Sequence, residues 1–294
     1  MQSIYRGRFA PSPTGPLHFG SLVAALGSYL QAKHQGGEWL VRIEDLDVPR
    51  NQPGAAHAIL RTLRVLGLVP DGEIIHQTAR HSAYHKALAQ LRSGGLTFSC
   101  ACTRAQVGDR IYSGTCRHSV PPGRRRRSMR IKVDDRRVSF DDRIQGFFEQ
   151  HLSAEVGDFV IHRADGVVAY HLATVLDDAW QGVTEIVRGA DLLDSTPRQM
   201  YLQQLLGLPT PRYVHLPLAV DIGGSKLSKQ NGAPPIDESE PTDTLRHALE
   251  FLGQNPPNRL KFMAVAEALH WAVENWTLAN VPRTPKVVVT YQSQ

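Results

Sequence analysis

Long apolar runs are missing from this 294-residue chain. Nothing in it approaches the ~18 residues that a membrane-spanning helix needs, so no membrane partner is expected. Met1 to Arg8 has no long apolar core behind a basic start, and so carries no sign of a secretory leader. Cysteine is scarce: Cys100, Cys102 and Cys116 are the three present, all within one 17-residue stretch. An odd number in such a cluster does not read as a disulfide framework. Internal repeats are absent, as are low-complexity tracts apart from the run Arg124-Arg125-Arg126-Arg127. What remains is an ordinary globular composition, 41% hydrophobic and 21% charged with 24 Gly and 19 Pro, long enough for roughly two domains. The net charge of +5 and a pI near 9.2 permit a polyanionic partner such as a nucleic acid without demanding one. A two-part, cytoplasmic protein is expected.

Strand, helix, strand, helix is the order of the first hundred residues. Ser3 to Ala10 is short and extended, and a loop rich in Pro, Ser and Gly follows from Pro11 to Gly15. Leu22, Ala25, Leu26, Tyr29 and Leu30 recur at helical spacing until Gly36-Gly37 stop them. Trp39 to Ile43 reads as a buried parallel strand, Ala55 to Leu66 and Ala79 to Leu91 as helices. Such alternation is the pattern of a parallel α/β sheet. From Thr97 to about Glu155 the character changes to a cysteine-bearing, arginine-rich stretch of weak periodicity, which reads as an insertion. Beyond it, Phe159 to His162 and Val167 to Tyr170 flank Asp165-Gly166 and predict a hairpin with a type I′ turn. Val183 to Val187 and Val214 to Val220 read as strands, Pro197 to Leu206 as a helix, and the segment after Asp237 as helical.

Two stretches carry chemistry. The first, Arg8 to Ser21, ends in His18-Phe19-Gly20-Ser21 where a loop feeds a helix. Unpaired N–H groups and the positive end of the helix dipole favour phosphate there, Gly20 lets a ligand approach the backbone, and His18 can donate to phosphate oxygens. The second, Lys226-Leu227-Ser228-Lys229-Gln230, follows Gly223-Gly224 and can close over a triphosphate, neutralising charge as it develops. Three thiols and a fourth donor would complete a tetrahedral zinc site; on chemistry and spacing alone the nearby His118 is the better fourth ligand, Tyr112 the rarer one.

Jointly these stretches resemble the two motifs of the class I aminoacyl-tRNA synthetases. Arg8 to Gly15, Arg42-Ile43-Glu44-Asp45-Leu46-Asp47 and Val187-Arg188-Gly189-Ala190-Asp191 resemble its glutamyl branch. The resemblance spans about residues 5–235. Phe19 stands where the first motif usually has Ile, and Leu227 where the second usually has Met; both changes are apolar for apolar. Only 64 residues follow Gln230, too few for the anticodon-binding region of an ordinary glutamyl-tRNA synthetase. A short chain with a cysteine-bearing insertion is similar to the glutamyl-queuosine tRNA(Asp) synthetases.

The resemblance implies an α/β fold: a Rossmann-like catalytic domain in two halves (1–96 and 158–236), split by a zinc-bearing insertion (97–157) and followed by a helical segment (237–294). It implies activation of L-glutamate by ATP with Mg, then transfer to the queuosine cyclopentenediol in the anticodon of tRNA(Asp), by a chain expected to be a monomer. It assigns Arg8, Ala10, Ser12, Glu44, Tyr170 and Arg188 to glutamate. His18, Gly20, Ser21, Lys226, Ser228 and Lys229 fall to ATP, with His18 and Lys229 catalytic. One structural zinc is implied on Cys100, Cys102, Tyr112 and Cys116, the family pattern favouring Tyr112 where chemistry alone favours His118. A glutamate side chain needs a guanidinium fork, which Arg8 or Arg188 can offer, and its ammonium an anion such as Glu44. Arg124 to Arg127 are candidate RNA contacts. The competing readings are a truncated glutamyl-tRNA synthetase that charges tRNA(Glu), and a non-catalytic paralogue that binds RNA or nucleotide.

Overall fold

The computed structural model of the chain describes residues 4–108, 111–125, 127–227 and 234–289. The first run comprises β1 (Arg6–Phe9), α1 (Phe19–His34), β2 (Glu38–Ile43), α2 (Ala55–Val65), β3 (Ile75–His76) and α3 (His81–Ser93). A strand-rich middle follows: β4 (Thr97–Cys100), the single turn α4 (Arg104–Val107), β5 (Ser128–Ile131), the hairpin β6 (Arg137–Asp142) and β7 (Gly146–His151), the single turn α5 (Leu152–Glu155), and β8 (Val160–His162). The last third holds α6 (Tyr170–Trp180), β9 (Glu185–Gly189), α7 (Thr196–Leu206), β10 (Arg212–Leu216), β11 (Leu218–Val220), α8 (Pro241–Phe251), α9 (Val265–Glu274) and β12 (Lys286–Val288).

The parallel strands form one twisted layer. β2 pairs with β1 and β3, and β9 pairs with β10, all parallel. The Thr184 N–H, one residue ahead of β9, donates to the Arg6 carbonyl at 2.9 Å and ties β9 beside β1. The order is therefore β3-β2-β1-β9-β10, which reverses direction between β1 and β9. Sheets of this kind bind ligands in the crevice outside the carboxyl ends of the strands at that reversal. Helix α1 crosses from β1 to β2 and is buried on nearly all sides, between the sheet and the pair α8 and α9. Gly27 permits the contact: a Cβ there would stand 2.6 Å from Leu216 on β10. A second core joins α3, α6 and α7 to the inner faces of β5 and β8, with Tyr84, Leu91, Ile131, Ile161 and Leu172 at its centre.

Several expectations from the sequence are corrected. The return strand of the predicted hairpin shrinks to a single bridge between His162 and Val168, and Tyr170 is instead the first residue of α6. Its turn is not type I′, which needs positive φ at both central residues. Gly166 has φ +85° while Asp165 does not share it, so the turn ends in a left-handed glycine. Pro217 divides the strand expected over Val214 to Val220 into β10 and β11, since it lacks the N–H a continuous ladder requires. The C-terminal segment is not helical throughout, because β12 pairs parallel with β11. The stretch of weak periodicity is largely antiparallel: β5 lies between β4 and β8, and β6 pairs with β7.

Candidate active site

At the carboxyl ends of β1, β2 and β9 lies a cavity of about 560 Å3. Its wall holds every described residue that the sequence assigned to glutamate or ATP: Arg8, Ala10, Ser12, Glu44, Tyr170 and Arg188, with His18, Gly20, Ser21 and Lys226. Ser228 and Lys229 lie outside the described residues, as does Arg126.

One side of the cavity is the start of α1. His18 is its N-cap; its ring nitrogen accepts from the Ser21 N–H at 3.4 Å, and the Ser21 hydroxyl accepts from the His18 N–H at 2.8 Å. This holds the imidazole at the positive end of the helix dipole, where anions are favoured. Gly20 sits in a tight place, since a Cβ would come within 3.1 Å of the Leu227 carbonyl and 3.3 Å of the His18 ring. Phe19 turns away from the cavity and packs edge-on against Phe251. Leu227 donates its N–H to Ala219, and Lys226 pairs with Asp191 at the rim.

The opposite side is built from buried charge. Arg8 donates from Nε to Asp178 at 3.2 Å, and Arg42 donates from Nη1 to the same carboxylate at 2.8 Å. Burial pushes Asp178 up, but the two guanidinium groups outweigh it and hold the carboxyl below its usual range. Anchored by Nε alone, Arg8 has both Nη groups without a hydrogen-bond partner among the described residues, and they form an open fork on the cavity wall. Glu44 accepts from Arg42 at 3.2 Å and Thr174 at 3.1 Å, both through Oε1, which leaves Oε2 for a ligand. Burial raises the Glu44 pKa against the pull of Arg42 and Arg8.

Arg188 is held differently. Its Nε donates to His215 Nε2 at 3.0 Å, Nη1 to Gln199 at 2.8 Å, and Nη2 to the Thr196 hydroxyl at 2.8 Å and the Leu192 carbonyl at 3.3 Å. No carboxylate of the described residues neutralises it, so its charge is available to an anion in the cavity. The wall therefore offers two cations and one anion, the complement of an amino acid that carries two carboxylates and one ammonium.

A second cavity of about 830 Å3 adjoins the first and shares Ser12, Glu44, Arg50 and Tyr170 with it. It runs past Cys102, Arg127 and Arg130 toward the loop at Arg163, which is pinned by an ion pair to Asp47 at 2.6 Å. Arg124, Arg125 and Arg127 are exposed, and Arg127 alone of these lines the cavity.

Cys100, Cys102 and Cys116 converge, with all three sulfurs within 4.8 Å of one another, and this group can hold a metal ion. The Tyr112 hydroxyl lies 3.5 Å from Cys100 Sγ and 3.9 Å from Cys102 Sγ. His118 is exposed and stands outside the metal-capable group among the described residues. Burial pushes the Cys100 thiol up, but the Tyr112 hydroxyl and the Arg130 guanidinium outweigh it and bring it down to about 7, closer to the thiolate a metal needs. Arg130 also stacks on the Tyr112 ring at 4.0 Å.

Sequence reasoning missed the supports of this site. Asp177 and Asp178 sit on the buried face of α6, a helix absent from the sequence reading although Leu172, Val175 and Leu176 carry its spacing. Asp45 is a structural support and not a ligand: it accepts from the N–H and hydroxyl of Thr78 at 2.9 and 3.0 Å.

The family described as tRNA synthetases class I (E and Q), catalytic domain, matches residues 5–269. A protein of Dechloromonas aromatica named glutamyl-Q tRNA(Asp) synthetase is 52% identical over 98% of this chain and 99% of its own length. One of the same name from Ectopseudomonas mendocina is 53% identical over 97% of each. Among solved structures, the glutamate-tRNA synthetase of Elizabethkingia anophelis superposes with a TM-score of 0.82 at 26% identity, over 98% of this chain and 68% of that one. A glutamate tRNA ligase from Elizabethkingia meningosepticum, in complex with its amino acid, gives 0.80 at 26%, over 96% and 66%. With its cavity at the sheet reversal and these relatives along nearly its full length, the chain belongs to the class I (E and Q) tRNA synthetases, within their glutamyl-Q tRNA(Asp) synthetase branch.

Proposed function

We propose that this protein activates L-glutamate with ATP and transfers the glutamyl group to the cyclopentenediol of queuosine in tRNA(Asp). The observation that carries the proposal is the cavity's charge pattern: the open Arg8 fork and unneutralised Arg188 facing Glu44, with a helix N-terminus opposite. In this reading Arg8 and Arg188 hold the carboxylates of glutamate, one of them as the fork on its side chain, and Glu44 its ammonium, while Ala10, Ser12 and Tyr170 shape the site. The α-carboxylate attacks the α-phosphorus of ATP and pyrophosphate leaves. His18, the α1 N-terminus with Gly20 and Ser21, Lys226, Ser228 and Lys229 stabilise the charge that develops, to which Mg brought with the nucleotide would add its own charge. A diol hydroxyl then attacks the activated carbonyl, and AMP departs.

The second cavity supports an entry for the accepting nucleotide, because it opens onto Glu44 and Tyr170 and carries arginines along its wall. The converging donors Cys100, Cys102, Tyr112 and Cys116 support one structural zinc, which would fix the segment that walls this cavity. The division into 1–96, 97–157, 158–236 and 237–294 is part of the same proposal. So are a monomeric state and a cytoplasmic location, the latter in keeping with the absence, among the described residues, of any helix long and apolar enough to cross a membrane.

The test is transfer of radiolabelled glutamate in the presence of ATP to tRNA(Asp) with and without queuosine and to tRNA(Glu), beside ATP–pyrophosphate exchange without RNA. Label confined to queuosine-bearing tRNA(Asp) is the expected result. Label on tRNA(Glu) would replace the proposal with an acceptor-end charging enzyme, and neither label nor exchange would leave a binding paralogue.

A further inference from the structure

Arg188 is the last member of a buried chain of hydrogen bonds that begins outside the parallel sheet. Asp142, the final residue of β6, accepts three backbone N–H groups through Oδ1: Ile144 at 3.0 Å, Gln145 at 2.9 Å and His215 at 3.2 Å. Its other oxygen lies 2.6 Å from Nδ1 of His215 on β10. His215 Nε2 in turn lies 3.0 Å from Arg188 Nε on β9. Asp142 and His215 have fully buried side chains and Arg188 is 4% exposed.

The donor inventory leaves one arrangement. A guanidinium only donates, so His215 Nε2 must accept and carries no proton. The ring proton is then on Nδ1, and its partner must be an acceptor, which is the Asp142 carboxylate. A protonated His215 would set N–H against N–H and cation against cation. The neighbours are compatible: Thr196 Oγ1 lies 3.3 Å from Nε2, and its one proton can go there or to the Leu192 carbonyl at 3.2 Å. Tyr213, stacked on His215 at 6.2 Å, and Phe140, tilted against it at 6.2 Å, bring no formal charge to the ring faces. We propose that Asp142 and His215 are positioning residues for glutamate binding: Asp142 fixes the tautomer of His215, and the bare Nε2 so produced sets the plane of the Arg188 guanidinium. This rests on the reading of Arg188 as a glutamate ligand.

Asp142→Asn tests it with one heavy atom exchanged. The amide oxygen keeps the three backbone contacts, while its NH2 faces His215 Nδ1 and drives the ring proton to Nε2, against Arg188 Nε–H. With that buried donor unmatched, the KM for glutamate in pyrophosphate exchange is expected to rise about ten-fold or more, without moving the KM for ATP. The 15N spectrum of His215 is expected to show a pyrrole-like Nδ1 and pyridine-like Nε2 in the wild type and the reverse in the variant. Arg188→Ala, measured in parallel, separates the two layers of the argument. If Arg188→Ala raises the glutamate KM and Asp142→Asn flips the ring without doing so, the positioning role is refuted and the site stands. If neither moves it, Arg188 is not a glutamate ligand and the proposal falls with it. Should Asp142→Asn fail to fold, the wild-type spectrum decides: a proton on Nε2 overturns the proposal.

Discussion

Replacing Arg8 and replacing its anchor Asp178 should have opposite signatures, and the geometry sets the size of each. Asp178 binds two guanidinium groups, Arg8 at 3.2 Å and Arg42 at 2.8 Å, with side chains 4%, 0% and 2% exposed for Arg8, Arg42 and Asp178. In Arg8→Ala the carboxylate keeps Arg42, so no buried charge is orphaned and the sheet is expected to melt close to the wild-type temperature. What is lost is the fork on the cavity wall, leaving a ligand carboxylate unmatched in a desolvated site, a loss of roughly 3–5 kcal/mol. At about 1.4 kcal/mol per decade that is on the order of a hundred- to several-thousand-fold in the glutamate KM. Asp178→Ala takes from Arg8 its one carboxylate partner and from Arg42 its shortest, leaving Arg42 to Glu44 at 3.2 Å and the shared Asp177 at 3.8 Å. The same roughly 3–5 kcal/mol then falls on folding, and at ~2 °C per kcal/mol the melting temperature should drop by roughly 6–10 °C. Glutamate-dependent pyrophosphate exchange and thermal unfolding on both variants make the comparison. An Arg8→Ala enzyme that keeps the wild-type glutamate KM would refute the assignment of the fork. An Asp178→Ala protein that melts unchanged would refute the account of the buried cluster.

Two further outcomes follow from other parts of the molecule. Purified protein should contain one zinc per chain by elemental analysis, and Cys116→Ser should lose it together with protease resistance over residues 97–157; metal well below one per chain in the wild type would sink the four-donor site. His171, its Nδ1 buried without a partner among the described residues, is pushed down by burial and by Arg198 and Arg188 to about 3. The folded pKa lies below the unfolded value near 6.5, so above that pH this group costs nothing, and below it the unfolded chain takes up a proton that the fold refuses. Between pH 7 and 5 it should therefore remove about 2 kcal/mol of stability. His171→Gln should shrink the pH 7 to 5 loss by that amount in denaturant titrations, and an unchanged loss would remove His171 from the acid-sensitive groups.

How much of this was legible in the sequence depends on the range of the interaction. Local periodicity placed α1, α2, α3, α7 and β2, and contiguous motifs placed His18, Gly20, Glu44 and Arg188, all of which reach one cavity wall. The pairs that hold those groups still join distant parts of the chain: Arg8 to Asp178 spans 170 residues and His215 to Asp142 spans 73. No spacing rule reports such pairs. Asp177 and Asp178 were hidden for a second reason, because paired carboxylates read as a solvated helix face unless buried arginines are known to meet them. In the same way β12 was lost, since a three-residue strand has too few positions for a period of two to register.

The pairing of β1 has a cost during synthesis. Its partner on one side, β2, follows in register 32 residues later, but the Arg6 carbonyl on the other side waits for Thr184. At ~5–20 residues per second a ribosome needs roughly 7–28 s after completing β2 to deliver that residue. For that interval the nascent chain presents an open parallel edge backed by the apolar face of α1, the kind of surface that recruits chaperones or neighbouring chains. Slow codons between residues 45 and 184 would lengthen the exposure, and aggregation of newly made protein, rather than of the finished enzyme, is where their effect would be felt.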